Sequence, residues 1–120
     1  MADLFDTNIL IDHLRGIPEA TREIERSADA AISMITWIEV MVRAASGQEA
    51  ALRSFVANFV VLPVTPEVAE RTVVLRRERK IKLPDAIILA TAQVSGRQLV
   101  SRNTRDFPAG TPGIRVPYSI

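Results

Sequence analysis

The sequence contains no cysteine and only one histidine, His13. Without cysteine the chain can form neither a disulfide framework nor a thiolate site for zinc or an iron–sulfur cluster, and an intracellular protein is expected. A single histidine also leaves few soft ligands for zinc. Because His13 borders the apolar Leu10 and Leu14 in the pattern of the first helix, we predict a structural role for it.

Long apolar runs and several familiar motifs are missing as well. The longest apolar run, near residues 86–92, is too short to span a bilayer, and the N-terminus lacks the features of a secretory signal. There is no Gly-Lys-Ser/Thr phosphate loop, no G-x-G-x-x-G fingerprint and no recognisable Ser/His/Asp constellation. We therefore predict a soluble cytoplasmic protein with no membrane partner, folded as one domain over residues 1–120.

Charge is divided unevenly along the chain. Residues 1–60 carry nine acids and five bases, whereas residues 61–120 carry five acids and ten bases, so the halves have charges of −4 and +5. Five of these bases form one basic cluster, at Arg76, Arg77, Arg79, Lys80 and Lys82. Such a patch suits phosphate backbones, although a solvated helix end explains a charged run taken alone more often.

The apolar periodicity predicts alternating strands and helices. Strands are expected at about residues 3–6, 30–33, 60–62, 98–101 and 114–116, and helices at about 7–16, 18–26, 36–46, 48–58, 66–79 and 84–95. Because hairpin signals are absent, this alternation predicts a parallel sheet covered by helices on both faces.

Four acidic residues lie at the edges of the apolar segments: Asp6, Glu39, Asp85 and Asp106. Each has a structural explanation. Asp6 is placed to cap the first helix, and Glu39 fits a capping box that starts at Thr36. Asp85 suits the dipole of a first helical turn, and Asp106 suits a turn.

Considered together, the four acids predict a metal site. Asp6 ends the first strand, Glu39 follows the second and Asp106 the fourth, so all belong at the carboxyl edge of a parallel sheet. Asp85 begins the helix that leads to the fourth strand. Neighbouring carboxylates repel unless cations neutralise them, and their hard oxygens suit Mg²⁺ or Mn²⁺. A metal-activated water at such a site suits phosphodiester hydrolysis.

Four segments resemble the motifs of PIN-domain ribonucleases. They are residues 4–12 (LFDTNILID), 35–39 (ITWIE), 83–92 (LPDAIILATA) and 100–107 (VSRNTRDF). Their order and spacing are similar to those of the small toxin subunits of VapBC toxin–antitoxin systems, and the resemblance covers essentially the whole chain. It implies a three-layer α/β/α sandwich with a parallel sheet of about four to five strands. It also implies RNA cleavage dependent on Mg²⁺ or Mn²⁺, a cognate antitoxin and a homodimer.

The resemblance also implies which acids carry the chemistry. Asp6, Glu39 and Asp85 match the three acidic positions most characteristic of the family. At the fourth position many relatives have an acid, whereas this chain has Asn103, with Asp106 three residues further on. The resemblance thus implies catalytic roles for the four acids and metal binding by Asp6, Asp85, Asn103 and Asp106, and leaves open which of the last two is the fourth ligand.

Several residues next to these acids resemble supporting groups of the family. Thr7 and Asn8 are similar to the polar supports of the first aspartate, and Thr36 to a group near the glutamate, with ordinary helix capping as the alternative. Arg102 and Arg105 flank the fourth motif, where they would meet RNA phosphates or remain solvated.

The large apolar side chains of the middle segment are predicted to lie mainly in the core. They are Trp37, Met41, Phe55 and Phe59, which pair at helical spacings. Any that remained exposed would mark an antitoxin groove or a dimer contact.

Two other functions stay open at this level. The first is a PIN-like RNA- or protein-binding module in which Asn103 leaves metal binding too weak for turnover. The second, a phosphotransfer or phosphatase domain, is less favoured because no second aspartate stands two positions after Asp6.

Overall fold

The computed structural model describes residues 2–108 and 110–119. In these residues five short strands alternate with six helices. The strands are β1 (Asp3–Phe5), β2 (Ala30–Ser33), β3 (Val60–Leu62), β4 (Gln98–Val100) and β5 (Ile114–Arg115). The helices are α1 (Thr7–Leu14), α2 (Pro18–Arg26), α3 (Met34–Val42), α4 (Glu49–Val56), α5 (Pro66–Glu78) and α6 (Leu83–Ser95).

The strands form one parallel sheet in the order β3-β2-β1-β4-β5, with β1 at its centre. Successive side chains of a strand point to opposite faces, and β1 shows this directly. Leu4 belongs to a buried cluster with residues of α5 and α6, whereas Phe5 belongs to a second cluster with residues of α1 and α3. The predicted α/β/α sandwich with a parallel sheet is therefore confirmed.

The predicted start of α3 at Thr36 is wrong. The helix begins at Met34, because Ser33, the last residue of β2, serves as its N-cap and accepts a hydrogen bond from the backbone N–H of Ile35 at 3.1 Å. Thr36 is consequently a buried residue inside the helix, and no capping box with Glu39 forms. The capping explanation for Glu39 is removed by this difference of two residues.

Helix α6 brings the third motif to the sheet. Pro84 lies in its first turn, and Gly96 ends it in the left-handed conformation with φ of 70°. The small side chains of Ala86, Ala90 and Ala92 are fully or almost fully buried in the cluster shared with α5. This close packing fixes the first turn of α6, which carries Asp85, at the carboxyl edge of β1.

The four large apolar side chains of the middle segment lie in or against the second cluster, as predicted. Phe59 is buried there, and Trp37, Met41 and Phe55 pack against it while partly buried. His13 stacks on Phe55 with ring centroids 4.9 Å apart, and its Nδ1 lies 2.8 Å from the Thr21 hydroxyl. The contacts of His13 are those of a packing residue.

Among residues 2–108 and 110–119, no helix combines the length and the apolar character needed to cross a membrane.

Candidate active site

Four segments meet at a cavity of about 260 Å³ at the carboxyl edge of the sheet. Asp6 directly follows β1, Glu39 lies in α3, and Asp85 lies in the first turn of α6. All three line the cavity, and Asn103, from the segment after β4, completes the group. The structure thus brings together the acids of the first three motifs and the asparagine of the fourth.

Asp6 is held in place by backbone and side-chain hydrogen bonds. Its backbone N–H donates to the carbonyl of Val100 at 2.9 Å, which extends the pairing of β1 with β4. Its carboxylate accepts from the Thr7 amide at 2.8 Å, the Ser101 hydroxyl at 2.7 Å and the Asn8 amide at 3.2 Å. With only 3% of the residue exposed, burial raises the pKa of Asp6 despite the bonds from Ser101 and Thr7.

Glu39 is oriented by two threonines. The Thr7 hydroxyl donates to Glu39 Oε1 at 2.7 Å and lies 2.9 Å from the Thr36 hydroxyl. Since the single hydroxyl proton of Thr7 is given to Glu39, Thr36 is the donor to Thr7. The chain Thr36–Thr7–Glu39 therefore links α1 to α3 beside the cavity.

Ser101 is a site residue that the sequence analysis missed. It is fully buried directly after β4, and it contacts both sides of the site. Its hydroxyl donates to Asp6 and accepts from the backbone N–H of Asn103 at 3.0 Å, while Asn8 Nδ2 approaches it at 3.3 Å. The available signal was its position, since a polar residue that directly follows a buried strand faces the same edge as the acids.

The neighbouring acids affect the pKa of Asp85. Burial raises its pKa to about 6, and the charges of Asp6, Asp106 and Glu39 and a hydrogen bond with the Asp106 carboxyl add to the effect. The charges of Glu39 and Asp106 also raise the pKa of Asp6, after its burial. The carboxylates therefore repel one another at this edge of the sheet.

Asn103 and Asp106, the two candidates for the fourth ligand, are joined by reciprocal hydrogen bonds. Asn103 Nδ2 donates to Asp106 Oδ2 at 3.0 Å, and the Asp106 amide donates to Asn103 Oδ1 at 3.2 Å. Asn103 lines the acid cavity, whereas Asp106 borders a neighbouring cavity with Arg105. Asp106 raises the pKa of Asp85 through its charge and a hydrogen bond.

The donor set fits a hard divalent cation with a small number of protein ligands. In the described part of the chain, no three His, Cys, Asp or Glu side chains are close enough together to hold a metal ion between them. Mg²⁺ does not require three, because it usually keeps several waters and binds one or two carboxylates. The raised pKa of Asp85, which burial and neighbouring carboxylates cause, shows where such a cation would be stabilising.

Arg102 has a buried partner that the sequence analysis did not predict, Asp12 of α1. Arg102 Nη2 lies 2.8 Å from Asp12 Oδ1, its Nε bonds Oδ2, and the Tyr118 hydroxyl donates to Oδ2 at 2.7 Å. Burial alone would raise the pKa of Asp12, but the bonds from Arg102 and Tyr118 outweigh it and lower that pKa. A contact of Arg102 with RNA stays a prediction, and its guanidinium already holds Asp12.

Two further arginines at the cavity were missed by the sequence analysis. Arg15 follows α1 and Arg43 follows α3, and both exposed side chains line the acid cavity and an adjoining one. Neither lies in a motif that stood out, because a single base after a helix is common. They place positive charge on the rim of the acid cavity.

Comparison with known proteins shows the family to which the chain belongs. The PIN domain family model matches residues 4–109. Ribonuclease VapC19 of Mycobacterium tuberculosis is 33% identical, over 96% of this chain and 98% of that protein. A chain of a toxin–antitoxin complex from Klebsiella pneumoniae is 50% identical with a TM-score of 0.93, over 99% of this chain and all of that one.

A third similar protein is a chain of DNA-bound VapBC from Salmonella typhimurium, which is 28% identical with a TM-score of 0.79, over 96% of each chain. The α/β/α fold of the chain agrees with these matches. The chain therefore belongs to the PIN-domain family and, within it, to the VapC-like proteins.

Proposed function

We propose that this protein is an endoribonuclease that acts as the toxin of a toxin–antitoxin pair and requires Mg²⁺ or Mn²⁺. The observation that carries the proposal is the convergence of Asp6, Glu39 and Asp85 on one cavity. Sequence similarity to a ribonuclease and to a chain of a toxin–antitoxin complex supports the assignment.

The metal-binding residues we propose are Asp6 and Asp85, together with the hydrogen-bonded pair of Asn103 and Asp106. When bound, the ion would supply a water of lowered pKa and stabilise charge on the phosphate. Ser101 and Thr7 donate to the ionised Asp6 carboxylate and keep its oxygens in place.

Glu39 is proposed to act as the general base. Thr7 fixes Oε1 by its hydrogen bond, so the rotation of the carboxylate is restricted. Oε2 then accepts the proton that the attacking water gives up. The rim cations Arg15 and Arg43 attract the polyanionic substrate toward this carboxylate.

An antitoxin partner and a homodimer also belong to the proposal. Ile38 and Val42 of α3 are exposed, Val42 to 77%, and they line a shallow cavity with Trp37 and Met41. An apolar patch of this kind on α3, the helix that also carries Glu39, suits a protein partner that blocks access to the acid cavity. The free toxin is proposed to act on cellular RNA in the cytoplasm.

The proposal is tested by cleavage of total cellular RNA with Asp6→Asn and Asp85→Asn beside the wild type. We expect the wild type to cut with Mg²⁺ or Mn²⁺ and to stop in chelator, and each variant to lose about 10³-fold in kcat/KM. Glu25→Gln, in which an exposed acid of α2 is changed, is the matched control and should cut normally.

Full activity of either aspartate variant would contradict the assigned site. If the wild type instead binds RNA equally well in chelator and cuts none with either metal, the alternative of a PIN-like binding module is favoured. Mapping the cleaved ends identifies the RNA.

A further inference from the structure

A basic cavity lies directly beside the acid cavity. It has a volume of about 350 Å³ between the α5–α6 connection and the turns after β4, and Arg79, Lys80 and Arg105 line it together with Asp106. Asp106 is bonded to Asn103, which lines the acid cavity. One hydrogen-bonded pair of side chains therefore links the two cavities.

Both walls of this basic cavity are anchored in the core. On one wall, Ile81 is buried and its carbonyl accepts from Arg76 Nη1 at 2.5 Å. On the other, Phe107 is fully buried and its backbone N–H donates to the carbonyl of Asn103 at 3.0 Å. Ile81 and Phe107 belong to the same buried cluster, so the backbone that carries the cations is fixed.

The cations of this cavity have no acidic partner in the described residues. No carboxylate within residues 2–108 and 110–119 lies within 4.0 Å of the charged nitrogens of Arg79, Lys80 or Arg105. Three positive charges therefore face one negative charge, that of Asp106. The fold thus places part of the basic cluster next to an arginine of the fourth motif, 25 residues after Lys80 in the sequence.

We infer that the cavity lined by Arg79, Lys80 and Arg105 binds a phosphate of the substrate strand next to the scissile one. The inference rests on the proposed function, because it takes RNA as the substrate of the acid cavity. A cluster of carboxylates repels phosphates, so a polyanion needs adjacent cations to enter it. The forked guanidinium groups can each hold two phosphate oxygens, and Lys80 adds a point charge.

The first test compares Lys80→Gln, Arg105→Gln and their combination, which keep much of each side chain and remove the charge. For the double variant we expect KM for single-stranded RNA to rise about tenfold with kcat within about twofold. In EDTA, the slope of log affinity against log salt should fall by about 0.7 for each phosphate that the variant no longer neutralises. Arg22→Gln, at an exposed arginine of α2, is the control for net charge.

The second test locates the phosphate. A fluorescein-labelled RNA of mixed sequence is made with one neutral methylphosphonate linkage at a time, and binding is measured in EDTA by anisotropy. In the wild type, one linkage close to the cleaved one should be sensitive to neutralisation. In the double variant the same substitution should have no further effect, because its charged partner is gone.

The inference is overturned if Arg22→Gln loses as much RNA affinity as the double variant. It is also overturned if neutralising the sensitive linkage weakens binding further in the double variant, or if the wild type does not bind RNA in EDTA. A wild type that binds with the expected pattern but cuts RNA with neither metal would reject the proposed hydrolysis and leave the phosphate site standing. If the wild type cuts RNA but the salt slopes of the variants are unchanged, the phosphate site is rejected and the proposed hydrolysis stands.

Discussion

Two buried aspartates of the first motif, Asp6 and Asp12, have pKa values shifted in opposite directions. Burial raises the pKa of Asp6, and the hydrogen bonds it accepts do not reverse the effect. Burial acts in the same direction on Asp12, but Arg102 and Tyr118 bond its carboxylate and lower its pKa. Both side chains lie on or next to one eight-residue helix, α1.

The difference between them is the charge of their partners. Asp6 is bonded by the neutral groups of Ser101, Thr7 and Asn8 and faces other acids, whereas Asp12 is bonded by a guanidinium. A buried carboxylate that is paired with a cation is costly to remove, because the cation is left unpaired, and one without a cation is available to bind one. Asp12 therefore has a structural partner in Arg102, and the environment of Asp6 supports the metal-binding role proposed for it.

The largest expected effect on stability is that of Asp12→Asn. Removing the charge leaves Arg102 without its partner, and we expect the free energy of unfolding to fall by about 3 kcal/mol. Asp6→Asn should leave it unchanged or raise it, because a carboxylate near other acids is neutralised. Urea unfolding of both variants in EDTA measures the contrast, and similar losses for the two would remove it.

The pH dependence of stability tests the same contrast more closely. Because the folded-state pKa of Asp12 lies below its ordinary value, its contribution is complete above that ordinary value and is lost as the pH falls through the folded-state pKa. The stability difference between the wild type and Asp12→Asn should therefore shrink on acidification below about pH 4. A difference that grew at low pH would contradict the assignment of Asp12.

The next effect is stabilisation by the metal. If Mg²⁺ or Mn²⁺ binds the acid cavity of the folded protein alone, a concentration of about 100 times Kd raises the free energy of unfolding by about 2.7 kcal/mol. Asp85→Asn should show a much smaller increase. Asp12→Asn should show the same increase as the wild type, although its free energy of unfolding without metal is lower. Equal stabilisation of wild type and Asp85→Asn would place the ion elsewhere.

The smallest effect is expected for Tyr118→Phe. This change removes one hydroxyl donor from Asp12 and leaves its ion pair with Arg102, so a loss of about 1 kcal/mol is expected. Thermal unfolding with calorimetry measures it, and cleavage by this variant should remain close to wild type. A loss as large as that of Asp12→Asn would assign the main stabilising contact to the tyrosine.

Much of the architecture could be predicted because the signals are local. The alternation of apolar segments predicts the parallel sheet, and Pro84 and Gly96 mark the ends of α6. The start of α3 was misplaced because Ser33 and Thr36 are both acceptable N-caps by type, and only the end of β2 selects Ser33. Local preference alone does not decide between two equal capping residues three positions apart.

For the site, the acids, their order and the family that they indicate follow from the sequence alone. Which of their charges are balanced depends on the tertiary structure. Asp6 and Ser101 are 95 positions apart, and Asp12 and Arg102 are 90 positions apart, yet each pair is hydrogen-bonded. A carboxylate has the same chemistry wherever it stands in a sequence, and its pKa and its role depend on burial and on the groups that folding brings within a few ångströms of it.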